Sequence, residues 1–388
     1  MKPTGFKAIF VRSVLQLVRR PIYWVGFFVL PLFTFLLLSN LMENELPYHV
    51  PAAIVDKDGS SLSRSVTQNL AGMQLVDLKE SCNSFTEARH LMQEGKVFGY
   101  FLIPENFQQD LLSGRKPVIT FYTNMTYYVP ASLLLKTFKT TAMYTKAGVA
   151  MNVLESVGAS PGQVTSLLLP VNIQSRAIHN PGLSYAVYLC NSFIPCVLQL
   201  MILLMTCFSL GQEIKYGTSG RLLAMADGSI VKALAAKLLP QTIVWIVMAL
   251  FMESWLYGIN GYPMHGSWFW MTLSEVMYVF ACQGMALFIF GALPNLRLSL
   301  SVSALLGILS FSIAAFSFPV ESMYPAMGVF SWIVPIRYNF LIYIDQALNG
   351  IHIYYSRVWF VAYIVFMLLP LTLLWRLRKY MSKPVYCQ

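Results

Sequence analysis

The sequence predicts an α-helical polytopic membrane protein. Six transmembrane helices and an N-terminal interfacial helix frame an α/β external domain inserted between helices 1 and 2. Three observations carry this. Hydrophobic residues make up 56% of the 388 positions and charged residues 11%, against roughly 45–50% and about 25% in soluble domains. Apolar runs recur at close to the ~20 residues that a helix needs to cross a bilayer. The basic residues also fall on one predicted side of those runs.

The runs cover Pro21–Leu41, Leu183–Leu210, Leu238–Tyr257, Trp268–Leu293, Leu298–Phe318 and Val358–Trp375. The first is long and lacks a small-residue cleavage site, so it is expected to stay as a span. Fourteen basic residues lie in the N-terminal arm, the second-to-third connection, Arg297 and the C-terminal tail, with only Glu213 and Asp227 among them. That asymmetry puts both termini in the cytoplasm. The net charge of +10 is therefore an orientation signal and not a nucleic-acid footprint. Trp255, Tyr257, Trp268, Trp270 and Trp332 cluster at the predicted outer interface, as aromatic belts do.

The predicted divisions are an interfacial helix at 1–20, a span at 21–41, an external domain at 42–181, spans 2–6 at 182–380 and a tail at 381–388. In the arm, Phe6, Phe10, Val11, Val14, Leu15, Leu17 and Val18 share one half of a helix. Arg12, Ser13, Gln16, Arg19 and Arg20 share the other, and Lys7 and Ile9 break the pattern. A basic amphipathic helix of this kind lies in the membrane interface; the alternative is a positive flank that only sets topology.

The domain reads as alternating strands and helices. "VPAAIVDKDGS" is a strand and turn, and "SLSRSVTQNLAG" a helix ending at Gly72. "MQLVDLKE", "VFGYFLIP" and "PVITFYTN" are further strands, and "ENFQQDLLSG" is a short helix. Ser84 followed by Glu87 signals a helix start, and Leu133–Val157 reads as one long helix. Asp56 and Asp58 are read as turn formers before catalytic carboxylates. His90 is expected to be exposed without a partner. Asn124-Met-Thr126 matches a glycosylation sequon. Of six cysteines, Cys190, Cys196, Cys207 and Cys282 sit in apolar runs, Cys387 is near the C-terminus, and Cys82 is alone in the domain. No metal site is expected from the Cys and His spacing.

The sequence holds no phosphate-binding G-x-x-x-x-G-K-[ST] motif and no catalytic triad pattern. Glu253 and Glu275 lie in the third and fourth runs. Intramembrane carboxylates are functional candidates by default, but both are close enough to the predicted outer boundary to reach the interface. Asn191, Gln199 and Gln283 are expected to hydrogen-bond between helices.

"SLGQEIKYGTSGRLLAMADGS", Ser209–Ser229, stands between two apolar runs. Glu213, Lys215 and Arg221 need water or a protein partner. Gly211, Gly217 and Gly220 permit turns, Thr218 or Ser219 can cap a short helix, and Leu222, Leu223 and Met225 give that helix an apolar face for a groove on another protein. A plain polar hairpin is the competing reading. An acidic residue, a short gap, Gly-Thr and then Leu-Leu resembles the cytoplasmic loop of ABC-2-type transporter permeases, matched here by Glu213, Gly217, Thr218, Leu222 and Leu223. Where the family often has an acidic residue after Gly-Thr and a proline after the leucines, this chain has Gly220-Arg221 and "MADGS". "AAKLLP", Ala235–Pro240, resembles the family's lead-in to the third span. Phe316–Gly350 resembles its external connection with short re-entrant helices, here with Pro319, Pro325, Pro335, Arg337 and Asp345. Arg337 and Asp345 either pair or stay at the outer interface. "AIVDKDGSSLSR" resembles the bacterial multidrug-export subgroup.

The resemblance implies a permease subunit in a bacterial inner membrane that exports an amphipathic, lipid-like or drug-like substrate. It implies a coupling loop at 211–231, with Glu213, Gly217, Thr218, Gly220, Leu222 and Leu223 as ATPase-coupling residues, and a re-entrant region at 317–350. It also implies a separate cytoplasmic ABC ATPase holding ATP and Mg, and a second permease subunit, identical or not. A periplasmic adaptor stays open. A proton-coupled carrier using Glu253 or Glu275, and an envelope receptor or scaffold, are the rival readings.

Overall fold

The computed structural model describes residues 5–41, 49–113, 115, 117–156, 184–316 and 318–383. The expected boundaries at 42 and 181, the tail beyond 383 and Cys387 lie outside them. The chain divides into two compact units, Leu46–Arg176 and the remainder.

Helix α1, Phe6–Arg19, ends at Arg20, whose backbone is extended. Extended geometry is what a following proline favours, and Pro21 begins α2, Pro21–Leu41. One turn of α2, Val25–Val29, is widened to π geometry.

The inserted unit is built on strands β1 (Val50–Asp56), β2 (Val76–Cys82), β3 (Gly99–Ile103) and β4 (Thr120–Thr123). Their order is β2-β1-β3-β4, with β1 parallel to both neighbours and β4 antiparallel to β3. Helices α3 (Ser61–Ala71), α4 (Phe85–Gln93), α5 (Phe107–Leu112) and α6 (Tyr128–Ser156) connect and follow them. Strand side chains alternate between faces. Ala52 and Ile54 join Phe101, Val66, Leu70 and Leu134 in one core, while Ala53 and Val55 join Tyr100 and Ala88 in the other. The sheet is thus covered on both sides, as parallel pairing requires. Ser84 caps α4 by accepting from Glu87 N at 3.2 Å, and Glu87 Oε2 accepts from Asn83 N at 3.0 Å. Asp56 Oδ1 accepts from the amides of Asp58 and Gly59, so this carboxylate builds a turn. His90 is exposed but has a partner after all, Glu94, 3.3 Å away and one turn on. In the sequon, Asn124 Oδ1 is occupied by Thr126 N.

The other unit continues with α7 (Tyr185–Lys215), α8 (Ser219–Met225), α9 (Ile230–Ile259), α10 (Trp268–Ala292), α11 (Leu296–Ile313), α12 (Pro325–Ser331), α13 (Pro335–Leu348) and α14 (Ile353–Ser382). Among the described residues, α2, α7, α9, α10, α11 and α14 are long and apolar enough to cross a membrane. The pair α12–α13 is bent by 80°, with Pro325 and Pro335 each opening one helix. Several spans differ in length from the apolar runs. Helix α7 continues through Glu213 to Lys215, and α9 begins eight residues before Leu238, so Lys232 and Lys237 are helical and not part of a loop. Helix α11 stops at Ile313. Helix α14 tightens to a 3-10 turn at Leu369–Leu373 around Pro370.

Polar side chains stitch the helices together as expected of groups away from water. Gln199 donates to Ser310 Oγ at 2.9 Å and accepts from Ile336 N at 2.9 Å, tying α7 to α11 and to an orphan amide of α13. Thr242 donates to Gln283 Oε1 across α9 and α10, and Tyr257 to Asn191 Oδ1 across α9 and α7. Cys82, Cys190, Cys196, Cys207 and Cys282 are buried free thiols. At Gly284 helices α10 and α14 meet so closely that a Cβ would stand 2.3 Å from Phe366 O. That neighbour is backbone and cannot rotate away. Gly284→Ala is therefore expected to cost at least the ~1–3 kcal/mol typical of overpacking, read as a lower thermal midpoint of the detergent-solubilised protein. An unchanged midpoint would mean that the two helices are not this close.

Candidate functional site

Glu213 lies two residues before the end of α7 and is only 2% exposed. A buried carboxylate requires partners, and this one has four. Arg12 Nη2 reaches Oε2 at 2.7 Å and Lys237 Nζ reaches Oε1 at 2.8 Å. Gln16 donates to Oε1 at 3.4 Å, and Thr218 Oγ1 donates to Oε2. Lys237, also 2% exposed, shares Gln16 Oε1 at 3.2 Å. One carboxylate thus holds α1, α7, α9 and the residue preceding α8. Arg20 adds a bond to Gln212 and lies over the Tyr216 ring, 5.4 Å from its centroid.

Arg12, Gln16 and Arg20 follow at four-residue steps, so they form one stripe on a helix. Arg12 and Gln16 of α1, and Arg20 just beyond its end, therefore face protein, while Arg19 is exposed. Val11, Leu15 and Val18 of its apolar half are exposed, available to lipid as an interfacial helix requires. Ile9 breaks the amphipathic pattern because it is buried on the protein side.

The loop after Glu213 turns at Gly217, whose φ of +68° is accessible to glycine at little cost. Neither Thr218 nor Ser219 caps α8 through its side chain. Thr218 is spent on Glu213, and Ser219 Oγ donates to Met381 O of α14 at 2.9 Å. Gly5 N donates to Met225 O at 2.9 Å, closing α8 onto α1. The expected docking face is also corrected. Leu222 and Leu223 are buried in this chain at 1% and 6% exposure, because a short helix needs an apolar anchor to its own fold. Lys215, Tyr216, Gly217, Arg221, Ala224 and Asp227 are exposed instead. Glu213 and Thr218 likewise hold the loop from within.

Glu253 and Glu275 do not snorkel to an interface. They are 6% and 8% exposed and line one cavity with Asn191, Tyr257, Asn339 and Tyr343. Asn339 donates to Glu275 Oε1 at 2.8 Å. Glu253 Oε1 is buried without a hydrogen-bond partner among the described residues. Arg337 and Asp345 do not pair with each other. Arg337 stacks over Trp332, 4.3 Å from the ring centroid, and donates to Ala314 O at 3.4 Å. Asp345 accepts from Ser356 Oγ at 3.1 Å and Trp359 Nε1 at 3.0 Å, fastening α13 to α14. Pro319 precedes the 3-10 turn Val320–Ser322.

Sequence reasoning passed over Arg12, Gln16, Lys237 and Asn339. The four-residue stripe on α1 was the available signal for the first two. Lys237 was counted with the second-to-third connection and marked only as part of the "AAKLLP" lead-in to the third span, and nothing local marks Asn339. Among the described residues no cluster of His, Cys, Asp and Glu is arranged to hold a metal ion.

A family profile described as "ABC-2 family transporter protein" matches residues 21–375. No curated protein matches the chain. Among solved structures, a crystallised domain ascribed to an ABC type-2 transporter from Thermotoga maritima MSB8 is similar at 21% identity, covering 32% of this chain and 81% of that one, with a TM-score of 0.23.

Removing the Glu213 carboxylate leaves two cations facing each other in a buried site. Glu213→Ala is expected to destabilise the membrane unit by roughly 3–5 kcal/mol, the usual effect of truncating one partner of a buried pair. It should also release α1, read as faster cleavage between α1 and α2 in limited proteolysis. Equal cleavage of variant and wild type would show that the carboxylate does not hold α1.

Proposed function

Since the chain belongs to the ABC-2 family of transporter proteins, and so is the membrane subunit of an ABC transporter, we propose that it is the permease of a bacterial inner-membrane exporter. Both termini are cytoplasmic in this reading, and the α/β unit is periplasmic. A separate cytoplasmic ABC ATPase binds ATP and Mg, and a second permease subunit completes the path. The observation that carries the proposal is the Glu213 junction. It joins the loop that would meet an ATPase to α1 and to two spans, so a push on α8 moves packed helices and not a free hairpin. Such a transition is a shift of rigid elements between two packings.

The ATPase contact falls on the outer face of the loop, at Lys215, Tyr216, Gly217, Arg221, Ala224 and Asp227. Glu213, Thr218, Leu222 and Leu223 act indirectly, by fixing that face. Gly217 shapes the turn, and Gly220 lies beside Ser382 O of α14, with room for a Cβ at 3.7 Å. The cargo is amphipathic, lipid-like or drug-like. Supporting this, an apolar groove of about 330 Å³ runs between α9, α10 and α14, lined by Leu234, Leu238, Phe280, Leu287 and Met367. It lies towards the α8 end of these helices, where a substrate would arrive from the inner leaflet.

A proton-driven carrier is the second reading, favoured by the burial of Glu253 and Glu275. The two separate cleanly in cells. The exporter stops on ATP depletion and persists with an uncoupler present; the carrier does the reverse. In purified material, the chain should retain its ABC ATPase. Arg221→Glu with Ala224→Glu should release that ATPase while leaving the thermal midpoint of the permease unchanged, since both side chains are exposed. Retention of the ATPase by the double variant, together with normal export, would rule out this loop as the coupling surface.

A further inference from the structure

The cavity between α7, α9, α10 and α13 has an unbalanced inventory. It contains two buried carboxylates, Glu253 and Glu275. Of the two side-chain amides that line it, Asn339 donates to Glu275, and the Tyr343 hydroxyl is engaged with the other, Asn191. The amide of Asn191 donates to Val187 O, and the Tyr257 hydroxyl donates to Asn191. No lysine, arginine or histidine is among the described lining residues. Glu253 Oε1 is therefore buried at the cavity with nothing to accept from. Burying one ionised carboxylate without compensation is costly, and two facing one cavity repel each other as well.

An arrangement of this kind requires a positively charged occupant or a proton. Contrast Glu213, where the same fold supplies two cations of its own. The cavity volume is about 30 Å³, room for one or two water-sized groups. Ile194, Leu198, Met252 and Met271 form apolar wall beside the carboxylates. Aromatic rings of Tyr257 and Tyr343 complete it, and ring faces attract cations.

We propose that this cavity is a binding site for the primary ammonium head of an amphipathic amine, with Glu253 and Glu275 as its counter-charges. The alkyl portion lies along the apolar wall and out of the cavity, which is too small for it. The site admits –NH₃⁺ and rejects a quaternary ammonium by size. As a statement about cargo it rests on the exporter reading; as a statement about binding it does not.

The test uses the full chain in nanodiscs of neutral phosphatidylcholine, with calorimetric titration of decylammonium, decyltrimethylammonium and decanol. Decylammonium should bind saturably, about tenfold or more tighter than either analogue. Glu253→Gln and Glu275→Gln should each remove about that factor while the protein stays monodisperse. The comparison of the three probes on wild type needs no variant, so misfolding cannot obscure it. Equal binding of decanol and decylammonium overturns the proposal. Displacement by sodium or potassium chloride, against an unchanged choline chloride control, overturns it in favour of an alkali ion. No binding, with a protonated-carboxyl infrared band that Glu253→Gln removes, overturns it in favour of a proton. None of these measurements involves an ATPase. Failure of the amine site therefore leaves the coupling surface standing, and loss of the coupling surface leaves the amine site to be judged alone.

Discussion

The carboxylate of Glu213, held between Arg12 and Lys237, is the constraint on which the N-terminal helix, the loop and two spans depend. It is an ion pair with added hydrogen bonds, removed from water. Such pairs seldom add net stability over an apolar replacement, but they are exacting about geometry, because any misfit leaves a charge uncompensated. The consequence here is positional. Helix α1 has an apolar half that any stretch of membrane interface would accept, so burial alone would let it slide and turn. Arg12 and Gln16 remove that freedom by meeting a single carboxylate. Helix α8, at seven residues, is too short to stand alone. It gains its place from Leu222 and Leu223 inside the fold, from Ser219 on Met381 O and from Gly5 on Met225 O. The loop is a built surface anchored from behind.

Much of this architecture could be read from sequence because it is local. Six spans, the alternation of strands and helices in the inserted unit, the Ser84 start and the Asp56 turn each follow from residues close together in the chain. The same is true of the broken helices at Pro325 and Pro335. What escaped reading was long-range. Glu213 and Lys237 looked like loop charges because hydropathy counts each charge as a penalty and cannot see that the two cancel. Their pairing shortened both predicted spans by several residues. The apolar face of α8 was visible, but a pattern does not say whether the groove that receives it belongs to another protein or to the same chain. Glu253 and Glu275 each looked able to reach an interface alone. Their convergence on one cavity depends on how α9 and α10 pack, which no single segment encodes.

The two buried acidic sites make an instructive pair. At Glu213 the fold completes its own neutralisation, and the result is a joint. At Glu253 and Glu275 it does not, and the result is a vacancy for charge. Both are expensive in an apolar surround, so neither is tolerated without a return. The difference between them lies in what the neighbouring helices contribute: a basic stripe in one case, asparagine and tyrosine in the other.

The 3-10 turn at Leu369–Leu373 gives α14 a further property. Pro370 has no N–H to contribute, and the i-to-i+4 ladder is interrupted there. Above it, Trp359 and Ser356 are bound to Asp345 of the bent α12–α13 region. Below it, Met381 receives the hydroxyl of Ser219 at the start of α8. A shaft fixed at both ends and weakened between them bends at the weak point before it breaks either fixture. Pro370 thus divides the last span into two segments, each fastened to a different part of the fold.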